Sequence, residues 1–101
     1  MAKSKIEIDS SSILKRNEDD FLFTEVDGES VVMHIKTGRY IGMNSVTTDI
    51  WNLLSESIRS TTIIDRLMER YDVDRETCEQ DTMMVLQRMA MMKLVKVETS
   101  P

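Results

Sequence analysis

The sequence predicts an α+β domain in which three antiparallel strands precede three helices, and two observations carry that prediction. Between residues 21 and 43, runs rich in aromatic and β-branched residues are punctuated by Asp27-Gly28 and by Lys36-Thr37-Gly38, turn chemistry that makes hairpins. From Asn44 to residue 92 the apolar residues recur instead at the spacing of helices. Strands grouped before helices, with loops of ordinary length, place the helices against one sheet face.

Residues 1–12 end in Ser10, Ser11 and Ser12 and have little to bury, so a mobile arm is expected, with Ile6 and Ile8 as candidates for a short added strand. Ile13 and Leu14 open the ordered domain, 13–97, and the polar stretch 15–20 reads as a loop. The run FLFTEV is the first strand, and Asp27-Gly28 closes a two-residue turn whose central positions need positive φ. That closure sets Val26 opposite Glu29, Thr24 opposite Val31, Phe23 opposite Val32 and Leu22 opposite Met33. The second strand, 30–35, ends at a three-residue loop in which Gly38 takes the left-handed position. Met33 is then expected opposite Ile41, Val31 opposite Met43 and His34 opposite Tyr40. One face collects Leu22, Val31, Met33, Ile35, Ile41 and Met43 and is expected to cover the core. The other carries Phe21, Phe23, Val32, His34 and Tyr40.

Asn44 or Ser45 caps a first helix ending near Glu56, in which Val46, Ile50, Leu53 and Leu54, joined by Trp51, recur at helical spacing. Thr61 or Thr62 caps a second, with Asp65 completing a capping box and Ile64, Leu67, Met68 and Tyr71 buried. Asp72 or Asp74 starts a third, residues 75–92, which at 18 residues spans about 27 Å and buries Cys78, Thr82, Leu86 and Met89. Leu94, Val95 and Val97 form a last strand or an apolar tail packed on the core, before the polar end 98–101.

A chain of 101 residues supports one modest core, and no apolar run approaches the roughly 18 residues that cross a bilayer. No apolar stretch follows the early lysines, so no secretory signal is read and a cytoplasmic protein is expected. One cysteine, Cys78, excludes an internal disulfide, and with a single histidine it cannot build the usual zinc site. The net charge of -5 argues against nonspecific affinity for nucleic acid or anionic membrane. Acid clusters within 17–29 and 72–81, so a partner with some basic residues is favoured.

Catalytic groups do not converge. His34 has no nucleophile or carboxylate placed beside it by motif, Cys78 falls on an inward helical stripe, and the three glycines make no phosphate-binding pattern. Neither an enzyme nor a bound cofactor is expected. The open feature is instead the strand 39–43. If strands pair in chain order, it has one free edge, and GRYIGMN offers only Arg39 to blunt it. An extended peptide can join such an edge as a fourth strand, with its alternate side chains entering pockets beside it. The third helix supplies the wall: Asp81, Val85, Arg88 and Met92 lie on one helical face. Five of the nine methionines fall between 83 and 92, more than the core stripe uses, and Met84 and Met92 suit an adaptable apolar surface. The candidate peptide site is therefore Arg39, Tyr40, Ile41, Gly42, Met43, Asp81, Met84, Val85, Arg88 and Met92. In it, Arg88 would meet an acidic ligand residue and Asp81 a basic one, each worth up to about 1 kcal/mol.

The runs VDGESVVMHIKTGRYIGMNSVTTDIWNLL, IIDRLMERYDVDRETCEQD and LQRMAMMKLVKV resemble the PqqD-like family over residues 21–97. The most specific parts are the Gly38-Arg39-Tyr40 turn with Asn44, the Ile50-Trp51 pair, the Y-D-V-D segment before the third helix, and Asp81. The resemblance implies a winged-helix-like fold that binds the leader segment of a ribosomally made precursor peptide against the third strand and third helix. It most resembles the free-standing leader-binding subunit of lasso-peptide systems, whose partners are a leader peptidase and a cyclase; the alternative within the family is a pyrroloquinoline-quinone-type peptide chaperone for a radical enzyme. Lys93 stands where the family usually ends the helix with glycine, and Ile41 and Met43 replace an aromatic residue and a leucine. From other classes, a winged-helix nucleic-acid binder is disfavoured by the acid at the start of the third helix. A subunit that dimerises through the open edge also remains, and a monomer or weak dimer is expected.

Overall fold

The computed structural model describes residues 8–98, so most of the expected arm, with Ile6, and the last residues of the tail lie outside the described residues. Elements follow in the order β1 Ile13–Arg16, β2 Phe21–Val26, β3 Glu29–His34, β4 Tyr40–Met43, α1 Ser45–Leu53, β5 Ile58–Arg59, α2 Ser60–Arg70, α3 Arg75–Met91 and β6 Val95–Glu98. The α+β class holds, with the three-stranded antiparallel sheet β2-β3-β4 and the three helices as expected. A second three-stranded sheet, β5-β1-β6, is added to it. Of the polar segment expected as a loop, 15–20, Lys15 and Arg16 belong to β1, where they pair with Lys96 and Val95 of β6, and the remainder is loop and turn.

The first hairpin has the predicted register from Phe21 opposite His34 to Val26 opposite Glu29. Asp27 and Gly28 both take positive φ, 55° and 81°, as a tight turn matched to strand twist demands. The second hairpin is shifted by one residue: Val32 faces Ile41, Met33 faces Tyr40 and Ser30 faces Met43. His34 consequently lies across from Arg39, and its main-chain N–H donates to the Arg39 carbonyl at 2.9 Å. The cause is Ile35, whose N–H is drawn to the Asp20 carbonyl at 2.9 Å and which therefore joins the turn.

The expected core face is inverted in β2 and β3: Phe21 and Val32 are 4% and 0% exposed, whereas Leu22, Val31 and Ile35 are 56%, 47% and 48% exposed. The shifted register leaves β4 as expected, with Met43 buried, Ile41 packed against the core and Tyr40 outward. Aromatic packing selects this side: the Phe23 ring meets Trp51 edge-on at 5.7 Å, and Phe21 meets His34 at 5.0 Å. Trp51 is fully buried, and the Arg16 guanidinium lies 4.2 Å over Phe23 and 5.4 Å from Trp51, fastening β1 across β2 and α1. A buried hydroxyl pair, Ser30 Oγ to Thr48 Oγ1 at 2.8 Å, ties β3 to α1, and Thr48 donates onward to the Met43 carbonyl.

Helix caps follow sequence in two cases of three. Asn44 accepts from the Thr47 N–H and Asp74 from the Thr77 N–H. The second helix instead begins at Ser60 behind Arg59, which makes no side-chain cap, and Asp65 pairs with Arg75 at 2.9 Å rather than closing a capping box. Its buried residues are Ser60, Ile63, Ile64 and Leu67, while Met68 and Tyr71 are half-buried. The third helix buries Cys78, Thr82, Leu86 and Met89 as predicted, together with Ala90. It ends at Lys93, whose φ of 64° takes the left-handed position usually given to glycine. Lys93 N–H bonds Ala90 O and Leu94 N–H bonds Met89 O, the paired bonds of a Schellman end. The buried Asn17 then donates to the Lys93 carbonyl at 3.0 Å, joining the β1–β2 loop to this turn.

Candidate functional site

Antiparallel pairing alternates residues that exchange hydrogen bonds with residues that do not. The bond between His34 and Arg39 sets the phase, so Arg39, Ile41 and Met43 turn their backbone groups to β3. Tyr40 and Gly42 turn theirs outward, and among the described residues no strand lies beyond β4. The free edge thus offers the N–H and C=O of two residues, enough to receive a short extended peptide. A Cβ at Gly42 would meet nothing within 4 Å, and no left-handed φ holds that position.

The C-terminal end of the third helix reaches this edge. At one end Met92 shares a hollow with Phe21, His34, Arg39 and Ile41. At the other end Cys78, Asp81 and Thr82 share a cavity of about 180 Å³ with Val46, Leu67 and Tyr71. Asp81, at the upper cavity, and Met92, at the lower hollow, are separated by about 16 Å along the helix axis. Between the two hollows come Val85, half-buried against the core, and the exposed Met84 and Arg88. Met84 is 55% and Met92 48% exposed, so both methionines stand clear of the core.

Of the ten residues singled out from sequence, Asp81, Val85, Arg88 and Met92 recur along one side of α3, next to Met84, with Met92 at the lower hollow and Asp81 at the upper cavity. Arg39, Tyr40 and Ile41 line the lower hollow, and Gly42 and Tyr40 supply free backbone. Met43 does not reach the site: its side chain is buried and its backbone faces β3. Tyr40 points its ring mostly to the outer sheet face, where it is 71% exposed.

Sequence reasoning missed the upper cavity. Val46, which recurs at helical spacing with Ile50 and Leu53, is 40% exposed at its rim, and Val73, 44% exposed, lies on the same wall. An apolar residue isolated in the polar segment 72–74 was the available signal. Tyr71 frames this cavity by donating its hydroxyl to Asp49, which also meets Arg70 at 3.4 Å. That hydrogen bond, helped by desolvation, raises the Tyr71 phenol above 10.0. The floor is set by Cys78, buried and 3.8 Å from the Thr82 hydroxyl. Arg75 anchors the start of α3 through Asp65 and Glu79 at 2.9 and 3.1 Å. Among the described residues no cluster of His, Cys, Asp and Glu is arranged to hold a metal ion, and no helix is long and apolar enough to cross a membrane.

The profile of a known family, described as coenzyme PQQ synthesis protein D (PqqD), matches residues 29–95, a span that includes β3, β4, all three helices and the start of β6. The chain belongs to the PqqD family. Among solved structures it is similar to TbiB1 in complex with the TbiA(beta) leader peptide, at 34% identity and a TM-score of 0.75, covering 85% of this chain and 99% of that one. It also shares the fold of a lasso peptide synthetase B1 complexed with the leader peptide, at 16% identity and a TM-score of 0.72, covering 82% of this chain and 96% of that one. No curated protein sequence matches it. The PqqD family match begins at Glu29, so β1 and β2, with the Arg16 clasp on Phe23, lie outside the matched span.

Proposed function

We propose that this protein binds, without catalysis, the leader segment of a ribosomally made precursor peptide, which joins β4 as a fourth strand beside α3. The observation that carries the reading is the pair of outward-facing backbones at Tyr40 and Gly42, flanked by a hollow at each end of α3. An antiparallel peptide would enter beside Val46 and Asp81 and leave beside Arg39 and Met92. Main-chain bonds would provide affinity, and the two hollows would select alternate side chains. Arg39, Ile41, Asp81, Met84, Val85, Arg88 and Met92 are the side chains proposed to touch it. The likeness to two proteins solved with leader peptides supports this reading over the pyrroloquinoline-quinone alternative.

The bound precursor would then pass to a leader peptidase and a cyclase in the cytoplasm, with this chain holding the substrate rather than transforming it. The test is a fluorescence anisotropy titration with a labelled leader peptide from the precursor encoded beside the gene. Saturable binding at micromolar or lower concentration is expected, with at least a tenfold loss in Val85→Glu, where a charge enters the site. Wild-type affinity in a folded Val85→Glu protein would remove α3 from the site, and tighter salt-dependent binding to duplex DNA would replace the reading by that of a nucleic-acid binder.

A further inference from the structure

The β2–β3–β4 sheet has a second face, turned away from the core, that no described element covers. It is apolar where a solvent face is ordinarily polar: Leu22 is 56% exposed, Val26 64%, Val31 47% and Tyr40 71%. Contiguous apolar exposure of this kind marks a contact surface. Its two ends differ in charge. The β2–β3 end carries Asp27 in the turn and Glu29 at the start of β3, and the turn between β3 and β4 carries Lys36, all exposed. Its relief is uneven as well, because Tyr40 stands up at one end while Gly42 leaves a hollow near the other, bordered by Val26, Glu29, Val31 and Asn44.

We propose that this face is the interface of a two-fold dimer, its occupant a second copy of the chain. A two-fold axis lying between the sheets and perpendicular to the strands brings the acidic turn of each copy to the basic turn of the other. The same operation sets Tyr40 of each copy over the Gly42 hollow of its partner. One rotation satisfies charge and shape together, as an isologous contact requires. The sheets would stack about 10 Å apart, which leaves both β4 edges free. The dimer therefore does not compete with a fourth strand, and it stands or falls independently of peptide binding. Strands of six residues give a face only about 20 Å long, so the contact belongs to the weak class of interfaces.

Sedimentation velocity on the full chain, from about 5 to 500 µM, tests it across the range where weak interfaces associate. The monomer is expected to convert to dimer as concentration rises, and Val31→Glu is expected to remain monomeric with unchanged circular dichroism. Glu29→Lys and Lys36→Glu should each weaken the dimer about fivefold, since every contact occurs twice, and the two together should restore it. A wild-type chain that stays monomeric throughout overturns the proposal, as does a dimer that persists in Val31→Glu. Charge variants whose combination is no better than either alone would overturn the arrangement about the axis.

Discussion

Substituting Gly42 by proline separates the two jobs of β4. The β3–β4 ladder uses the backbones of Arg39, Ile41 and Met43, so proline at 42 removes no bond within the sheet. It also restricts the preceding residue to extended conformations, which Ile41 already adopts within β4. What is lost is the outward N–H that an incoming strand would use. A missing hydrogen bond costs about 0.5–1.5 kcal/mol, and the peptide carbonyl left facing a proline ring adds about 1–3 kcal/mol. Together these come to about 1.5–4.5 kcal/mol, roughly a 10- to 1,500-fold rise in Kd. Anisotropy with the labelled leader peptide measures it, and a thermal melt verifies folding. Gly42→Ala is the control, because its Cβ meets nothing within 4 Å and it keeps the N–H, so binding within about twofold of wild type is expected. Gly42→Pro that folds and binds within threefold of wild type would refute strand addition at β4. An equal loss in Gly42→Ala would show that the outer face, not the free backbone, contacts the peptide.

Lys93→Gly should stabilise the protein by about 1 kcal/mol, raising Tm by about 4–8 °C, because it relieves a left-handed residue without disturbing the Lys93 carbonyl bonded by Asn17. Thr48→Val should destabilise by about 1–3 kcal/mol in chemical denaturation, since it strands the buried Ser30 hydroxyl, and adding Ser30→Ala should recover part of that loss. In a Tyr40→Phe background the remaining phenol, Tyr71, should ionise above pH 10.0 by ultraviolet absorbance, and Asp49→Asn should bring it down. A phenol whose folded value is raised adds stability that is present below its ordinary value and is lost as pH rises through the raised one, so the stability gap between wild type and Tyr71→Phe should narrow in that alkaline window. Lys96 holds the Asp19 carboxylate below its ordinary range through a 2.8 Å contact. That contribution should be present above the ordinary carboxylate value and fade as pH falls through the lowered one, and Lys96→Met should abolish the difference in acid denaturation.

The parts of the fold that sequence revealed are those written in local chemistry. Asp27-Gly28 set the first hairpin, because few dipeptides accept positive φ twice, and the spacing from Cys78 to Met89 set the inward stripe of α3. The second hairpin slipped because Lys36-Thr37-Gly38 accommodates either of two loop lengths, and a distant group, the Asp20 carbonyl, chose between them. Face assignment failed in β2 and β3 because both faces of this sheet are apolar, so alternation could not say which one Trp51 would cover. The second sheet was invisible for a different reason. Its central strand pairs with partners more than 40 residues away, and β5 is only two residues long. At the site, α3 and the β4 edge were legible from period and topology. The upper cavity was not, because Val46 and Val73 take their exposure from how three separate segments meet.

The second sheet has a consequence for architecture on a larger scale. Ile13 pairs with Glu98, so the strand that opens the domain and the strand that closes it lie side by side. A unit whose two ends emerge together can be spliced into a loop of another protein, or tethered to one by a short linker at either end, without straining its own sheet. The candidate site is built from β4 and α3, apart from that seam, and would travel intact with the cassette. Tethering it to a processing enzyme would replace a bimolecular encounter by a high effective concentration, so that even a weakly held peptide would be presented repeatedly.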